Sequence, residues 1–293
     1  MNLMVTSSRI KTSYIEEPKT RFMSTPNCQL NTSLRIDLHS HTECSDGHLT
    51  PQELILRAST FQLDALAITD HDTVAGLSIA KNYIKEQNSS LTLINGIEFS
   101  TLWQNFEIHI VGLNIDVESP QLNELIKQQQ HAREKRAELM AEKLQKCGFE
   151  DMLTKAKLLA GDGSITRAHF ARVLHQEGRI ATMQKAFDKY IGKGKRAFVK
   201  PMWCDIATAI EVIHQAGGVA VIAHPMRYDM TTKWVRRLIV DFKEAQGDAM
   251  EIALPQMNTE QRRLMLSLCL EYDLYASCGS DFHFPNRWSE LGR

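Results

Sequence analysis

No apolar run in this 293-residue sequence approaches the roughly 20 residues that a membrane-crossing helix needs, so no membrane partner is expected. Cysteine is sparse and unpatterned. The six, at positions 28, 44, 147, 204, 269 and 278, form no CxxC pair and no regular framework, which argues for reduced thiols in a cytoplasmic protein. The first 33 residues lack a secretory apolar stretch and carry acidic Glu16 and Glu17; they are expected to be a disordered extension, with Met23 a possible start besides Met1. Neither sign of charge dominates, since the formal net charge is −1. A hydrophobic content of 43% is enough to bury one core plus a small insert.

What the sequence does have is a set of nine side chains suited to divalent metals, at or near the ends of apolar runs. They are His39, His41, Asp46, His71, Glu98, His109, His224, Asp281 and His283. One metal takes three or four protein ligands, so nine point to two or three metals sharing a site, an arrangement used mostly to hydrolyse phosphate esters. In Arg35–His41, Ile36 and Leu38 alternate with Asp37, His39 and His41, so both imidazoles share one strand face. Asp281-Phe-His283 repeats that spacing. Runs ending in His71, Glu98, His109, His224 and Asp281 are read as strands that deliver a ligand at or near their C-terminal ends, as in a barrel of parallel strands. Helices over 51–61 and 75–87 support alternating β and α. His48, His131, His175 and His214 have no ligand partner in sequence and are left out of the set.

These residues fall in motifs. His39-Ser-His41-Thr-Glu-Cys-Ser-Asp46-Gly, Ile-Thr-Asp70-His71-Asp-Thr, Gly96-Ile-Glu98-Phe-Ser, His109-Ile-Val-Gly, Ala-His224-Pro and Gly-Ser-Asp281-Phe-His283 resemble, in order, those of the PHP (polymerase and histidinol phosphatase) superfamily. The resemblance spans residues 34–293. It implies an α/β fold, a distorted TIM-like (β/α)7 barrel, with three divalent ions, Mn2+ foremost, although imidazole-rich ligation also admits Zn2+ or Fe2+. By that resemblance His39, His41, Glu98 and Asp281 hold one metal, Asp46, His71 and His224 a second, and bridging Glu98 with His109 and His283 a third. Asp37, Asp70 and Asp72 are read as carboxylates that orient the histidines. The segments 103–116, 164–172 and 192–203 are similar to a branch of 5′-to-3′ exoribonucleases and nucleoside 3′,5′-bisphosphate phosphatases. Proteins of that branch continue past the point where this sequence stops, so it is expected to be shortened or to close its barrel differently.

The near-zero net charge hides an asymmetry. Residues 121–200 hold 17 Lys/Arg against 9 Asp/Glu, a balance of +8, and the remainder carries −9. A basic segment between ligand clusters suits a polyanionic substrate. The reading is a barrel over 34–119 and 204–293 with a helical insert over 120–203 capping its mouth. Lysines 143, 146, 155, 157, 185 and 189 are assigned to solvated helix faces. Arg133 falls on the apolar stripe of a long helix over 121–147 and Arg136 flanks it. An inward guanidinium needs an anion, and its planar fork suits phosphate. Arg167 and His169 sit at a helix start, after the Gly161-Asp-Gly163 turn, where free N–H groups favour an anion. Lys195, in a Gly-Lys-Gly-Lys loop, completes the substrate-binding set, and Trp203 either stacks on a base or packs in a core.

The function expected is metal-dependent hydrolysis of phosphate esters on nucleotides or single-stranded RNA bearing a 5′-phosphate. Metal coordination lowers the pKa of water, so a hydroxide can attack phosphorus without a side-chain nucleophile. No protein partner can be inferred. The alternatives are a small-molecule phosphatase of the histidinol-phosphatase type and a non-catalytic, metal-stabilised binding module. Nine intact ligand positions weigh against the latter, because a buried polar cluster is costly.

Overall fold

The computed structural model describes residues 34–286 and 289–292; the expectations for the first 33 residues lie outside them. Eight strands form one sheet: β1 Ile36–Asp37, β2 Ala65–Ile68, β3 Thr92–Trp103, β4 Phe106–Leu113, β5 Cys204–Asp205, β6 Val219–Ile222, β7 Ala249–Ala253 and β8 Tyr275–Cys278. Their order is β1-β2-β3-β4-β6-β7-β8, with β5 alongside β3. Backbone bonds from Leu38 N to Cys278 O (3.1 Å), Asp281 N to His39 O (2.9 Å) and His41 N to Phe282 O (2.9 Å) join the two edges into a nearly closed barrel. The fold is the expected distorted α/β barrel.

Two local expectations change. β1 covers two residues rather than seven, and the chain from Leu38 to His41 continues in extended form through those closing bonds and an isolated bridge from Ser40 to Phe282. The barrel is also not all parallel. β3 and β4 form an antiparallel hairpin, Trp103 facing Phe106 across a two-residue turn with Gln104 at φ +53°, and β4 is antiparallel to β6 as well. Glu98 and His109 therefore lie inside the hairpin strands, and His109 arrives from the opposite chain direction.

The helices form where their caps and apolar stripes allow. α1 (Pro51–Thr60) starts with a Thr50–Glu53 capping box and Pro51 in its first turn; α2 (Ala75–Glu86) follows β2. Between β4 and β5 lie α3 (Pro120–Gln145), α4 (Met152–Ala160), α5 (Arg167–Gln176), α6 (Met183–Ala186) and a π-turn, Phe187–Ile191. α7 (Ile206–Gln215), α8 (Thr232–Glu244) and α9 (Thr259–Glu271) follow β5, β6 and β7 and bury their apolar residues in the barrel core. α3 spans two cores. Its Leu122 and Leu125 join the barrel core around Phe99, Ile110 and Phe242, whereas Ala137, Met140 and Leu144 join a second core whose buried members all lie between 137 and 199. Between those stretches the buried face of α3 turns polar, with Gln129, Arg133 and Arg136. Among the described residues no helix is long and apolar enough to cross a membrane, and the five described cysteines are unpaired.

Candidate metal centre

Glu98 sits at the centre of the barrel mouth with no solvent exposure. Its Oε2 lies 3.2 Å from His39 Nε2, 3.1 Å from His41 Nε2 and 3.1 Å from His71 Nδ1, and its Oε1 lies 2.8 Å from His109 Nδ1 and 2.9 Å from His224 Nε2. Asp281 Oδ1 is 3.4 Å from His39 Nε2 and 3.2 Å from His41 Nε2, and Asp46 Oδ1 is 3.3 Å from His283 Nε2. The nine side chains singled out in the sequence thus meet in one place. Close packing of the backbone makes this possible: a Cβ on Gly279 would stand 2.3 Å from the Cβ of His39.

The arrangement fits divalent cations. Three groups offer ligand atoms within 4.8 Å of one another: His39, His41, Glu98 and Asp281; His41, Asp46, His71 and His283; and His71, Glu98 and His109. Asp46 Oδ1, His71 Nδ1, Glu98 Oε2 and His224 Nδ1 are buried without a hydrogen-bond partner, a cost that a bound cation would relieve at the three that line these groups. Burial raises Glu98, but the His71, His39 and His109 charges outweigh it and hold the carboxyl well below its usual range; Asp46 is likewise low against burial through His71 and His283. Burial brings His71 well down and His224 to about 4, the direction that favours a metal-binding lone pair. The grouping differs from the one the resemblance implied. His283 goes with Asp46, its ring stacked 4.2 Å from His41, while His224 stands on the Glu98–His109 side, 5.2 Å from the His109 ring. His283 follows β8 and stacks on His41 within reach of Asp46, while His224 stands outside the three groups, against Glu98.

Of the three carboxylates expected to orient the histidines, only one acts on an imidazole, and indirectly. Asp70 accepts from Ser45 Oγ (2.6 Å), which lies 3.4 Å from His41 Nδ1. Asp37 instead holds backbone, accepting from the N–H groups of Ser280 and Gly292 at 2.8 Å. Asp72 faces the insert. The residue that orients His39 is Glu251 on β7, whose Oε1 lies 2.7 Å from His39 Nδ1 while its Oε2 accepts from His224 N at 2.5 Å. Burial opposes a charge on His39, but Glu251 and Glu98 raise it to about 10; with its Nδ1 proton on Glu251, its Nε2 turns toward the cluster. A glutamate inside the apolar run Ala249-Met-Glu-Ile-Ala253 was the signal for it.

A cavity separates the cluster from the insert, with Asp46, His71 and His109 on one side and Arg136, Arg167 and Trp203 on the other. The cations around it have protein partners. Arg133 donates through Nε to Asp72 Oδ2 (2.7 Å) and through Nη2 to Ser100 Oγ (2.7 Å), so the anion met by this inward guanidinium is Asp72 rather than a phosphate. Gln129 Nε2 donates to the same Asp72 at 3.1 Å. Arg136 and Arg167 share Glu107, at 3.2 and 3.3 Å. Burial lowers Arg136 to about 10. Trp203 takes the packing role: Arg133 and Arg136 lie 5.0 and 5.1 Å from its ring, and its Nε1 is 3.3 Å from Glu107.

Two expected substrate cations are placed elsewhere. His169 is buried, its Nδ1 accepts the Thr166 N–H (3.0 Å) in the capping box of α5, and burial brings it down to about 4, so it is neutral and occupied by the helix end. Lys195 is exposed on the turn after Gly192 and is not among the residues lining the cavity. Sequence reasoning also passed over Arg172, whose Nη2 donates to Asp46 O (3.0 Å), and Arg227, paired with Asp281.

A family model described as the PHP domain matches residues 37–205. The 5′-3′ exoribonuclease Rnm of Escherichia coli is 48% identical over 263 residues, covering 90% of each chain. The 3′,5′-nucleoside bisphosphate phosphatase of Chromobacterium violaceum is 38% identical over 251 residues, covering 85% of this chain and 87% of that one. The solved structure of a candidate metal-dependent phosphoesterase from Bifidobacterium adolescentis matches with a TM-score of 0.79 at 26% identity, covering 89% and 92%.

Proposed function

The chain belongs to the PHP domain family, and from that membership we propose that it trims RNA from a 5′-monophosphorylated end and removes the 3′-phosphate of nucleoside 3′,5′-bisphosphates at one site. Its general activity is that of a metal-dependent phosphoesterase. The observation that carries the finer reading is the cavity with the ligand cluster on one wall and Arg136 and Arg167 on the other. A substrate with two phosphates one nucleotide apart has use for both walls; histidinol phosphate, with one, does not.

His39, His41, Asp46, His71, Glu98, His109, Asp281 and His283 would hold three ions in the three groups described, with His224 against Glu98. Bound divalent ions, Mn2+ by expectation, would acidify a water and neutralise phosphate oxygens. The protein's own groups do the rest. Glu251 fixes the His39 tautomer, Arg167 with Arg136 receives the terminal phosphate as Glu107 yields, and the helical insert over 120–203 restricts entry to a single strand. The stretch from Arg167 to Glu107 is the adjustable part, because Arg167 keeps 29% of its side-chain surface exposed.

The test is to incubate the purified protein and Mn2+ with adenosine 3′,5′-bisphosphate, histidinol phosphate, and RNA carrying either a 5′-phosphate or a 5′-hydroxyl. Turnover of the bisphosphate and stepwise release of mononucleotides from 5′-phosphate RNA, with slow attack on 5′-hydroxyl RNA, is the expected result. Arg167→Ala should lower bisphosphate turnover by roughly 1.5–3 kcal/mol, more than it lowers that of a simple aryl phosphate. Equal rates on the two RNA ends, or digestion from the 3′ end, overturn the reading.

A further inference from the structure

We infer that Phe284 and His48 form a stacking platform for the nucleobase on the 3′ side of the phosphodiester being cut, which RNA reaches and a nucleoside bisphosphate does not. The inference rests on the exoribonuclease reading above. The two rings lie 5.0 Å apart with planes at 30°, and Phe284 is 42% exposed, whereas every other described Phe, Tyr and Trp is buried or half-buried. Both belong to the cluster's own chain segments. Phe284 directly follows His283, His48 lies two residues after Asp46, and His48 N donates to His283 O at 2.8 Å. That bond locks the two segments together beside the Asp46–His283 contact.

The platform lies away from Arg136 and Arg167. The cavity that holds Arg136 and Arg167 is lined by Asp46, His71 and His109, and neither His283 nor Phe284 is among its described lining residues. From His109 the imidazoles lead through His71 and His41 to His283, at ring separations of 5.0, 4.7 and 4.2 Å. A strand anchored by its 5′-phosphate in the cavity therefore has its next phosphate at the cluster and its second base toward His283. Arg172 supplies positive charge on that rim, held by its bond to Asp46 O, with its Nε buried and without a hydrogen-bond partner.

In hydrolysis the water oxygen bonds to phosphorus and the O3′–P bond breaks, so O3′ leaves with the first nucleotide and takes up a proton. The second nucleotide stays esterified to that phosphate through its O5′. A bisphosphate ends at this phosphate and has nothing to place on the platform. Aromatic–base stacking is tolerant of sequence, which suits an enzyme that advances one nucleotide at a time.

The experiment compares two 5′-phosphorylated dinucleotides, one with a base on the second ribose and one without, in wild type, Phe284→Ala and Phe284→Trp, with adenosine 3′,5′-bisphosphate as a separate substrate. The base should raise kcat/KM about tenfold in wild type. The ratio should fall toward one in Phe284→Ala and return in Phe284→Trp. If wild type cuts both dinucleotides equally well, or Phe284→Ala keeps the full ratio, the platform is wrong while the exoribonuclease reading stands. If neither dinucleotide is cut, that reading falls, and the platform with it.

Discussion

At the barrel mouth one carboxylate, Glu98, gathers five imidazoles, whereas in the seam between barrel and insert Arg133 pairs with Asp72 and Arg136 and Arg167 share Glu107. The first region leaves buried polar atoms without hydrogen bonds; the second satisfies its charges from within the protein. A site that binds cations keeps lone pairs unspent, and a seam that joins two cores cannot leave them so. Substitutions in the cluster should therefore affect every substrate, while substitutions in the seam should act on stability or sort one substrate from another.

The largest effect is expected from Glu98→Gln. It should abolish turnover on all phosphate esters and remove more than one ion per chain by elemental analysis; loss of a single ion would break the picture of Glu98 as the shared centre. Next is Arg133→Met, which leaves Asp72 buried and unpaired and should cost about 3–5 kcal/mol in urea unfolding. Adding Asp72→Asn should recover part of that loss, and a cost under about 1 kcal/mol would mean that the seam does not bind the two cores together. Glu251→Gln should weaken metal binding by about 10–100-fold in chelator competition. Unchanged affinity there would show that His39 keeps its orientation unaided.

The smallest effect concerns acid. His169 is held to about 4 in the folded protein against an ordinary value of 6.5, so between these values the unfolded chain binds a proton that the native one refuses. Stability should fall as pH drops through that window, by at most about 1.4 kcal/mol per pH unit for this one group. His169→Gln, which keeps a capping side chain at the same helix position, should flatten that dependence in chelator-treated protein. An unchanged slope would assign it to other groups.

Four of the nine cluster positions were legible from spacing, and the other five from the ends of apolar runs and the motifs they fall in. His39 and His41, like Asp281 and His283, sit two residues apart, and two imidazoles on one strand face waste burial unless something binds them. Direction was not legible. Alternation in Phe106–Leu113 reads the same whether the strand runs with or against its neighbour, so the hairpin that places His109 was missed. Which histidine joins which group depends on how the chain bends after β8, and nothing local in Asp281-Phe-His283 records that bend. The need of Arg133 for an anion followed from its place on the apolar stripe of α3. That the anion is Asp72, 61 residues away, depends on how α3 lies across the mouth.

The β3–β4 hairpin does more than deliver two ligands. Glu107, where the insert's arginines are moored, and His109, at the cluster, are neighbours on one face of β4, about 6–7 Å apart along a strand that cannot stretch. If Arg136 and Arg167 anchor the terminal phosphate as proposed, β4 is a ruler set between that anchor and the cut. Loops can be lengthened one residue at a time, but a one-residue slip of this strand would turn both side chains to the wrong face. On the proposed exoribonuclease reading, the length of the piece removed in each cycle is tied to the same register that holds the chemistry, and neither can drift without the other.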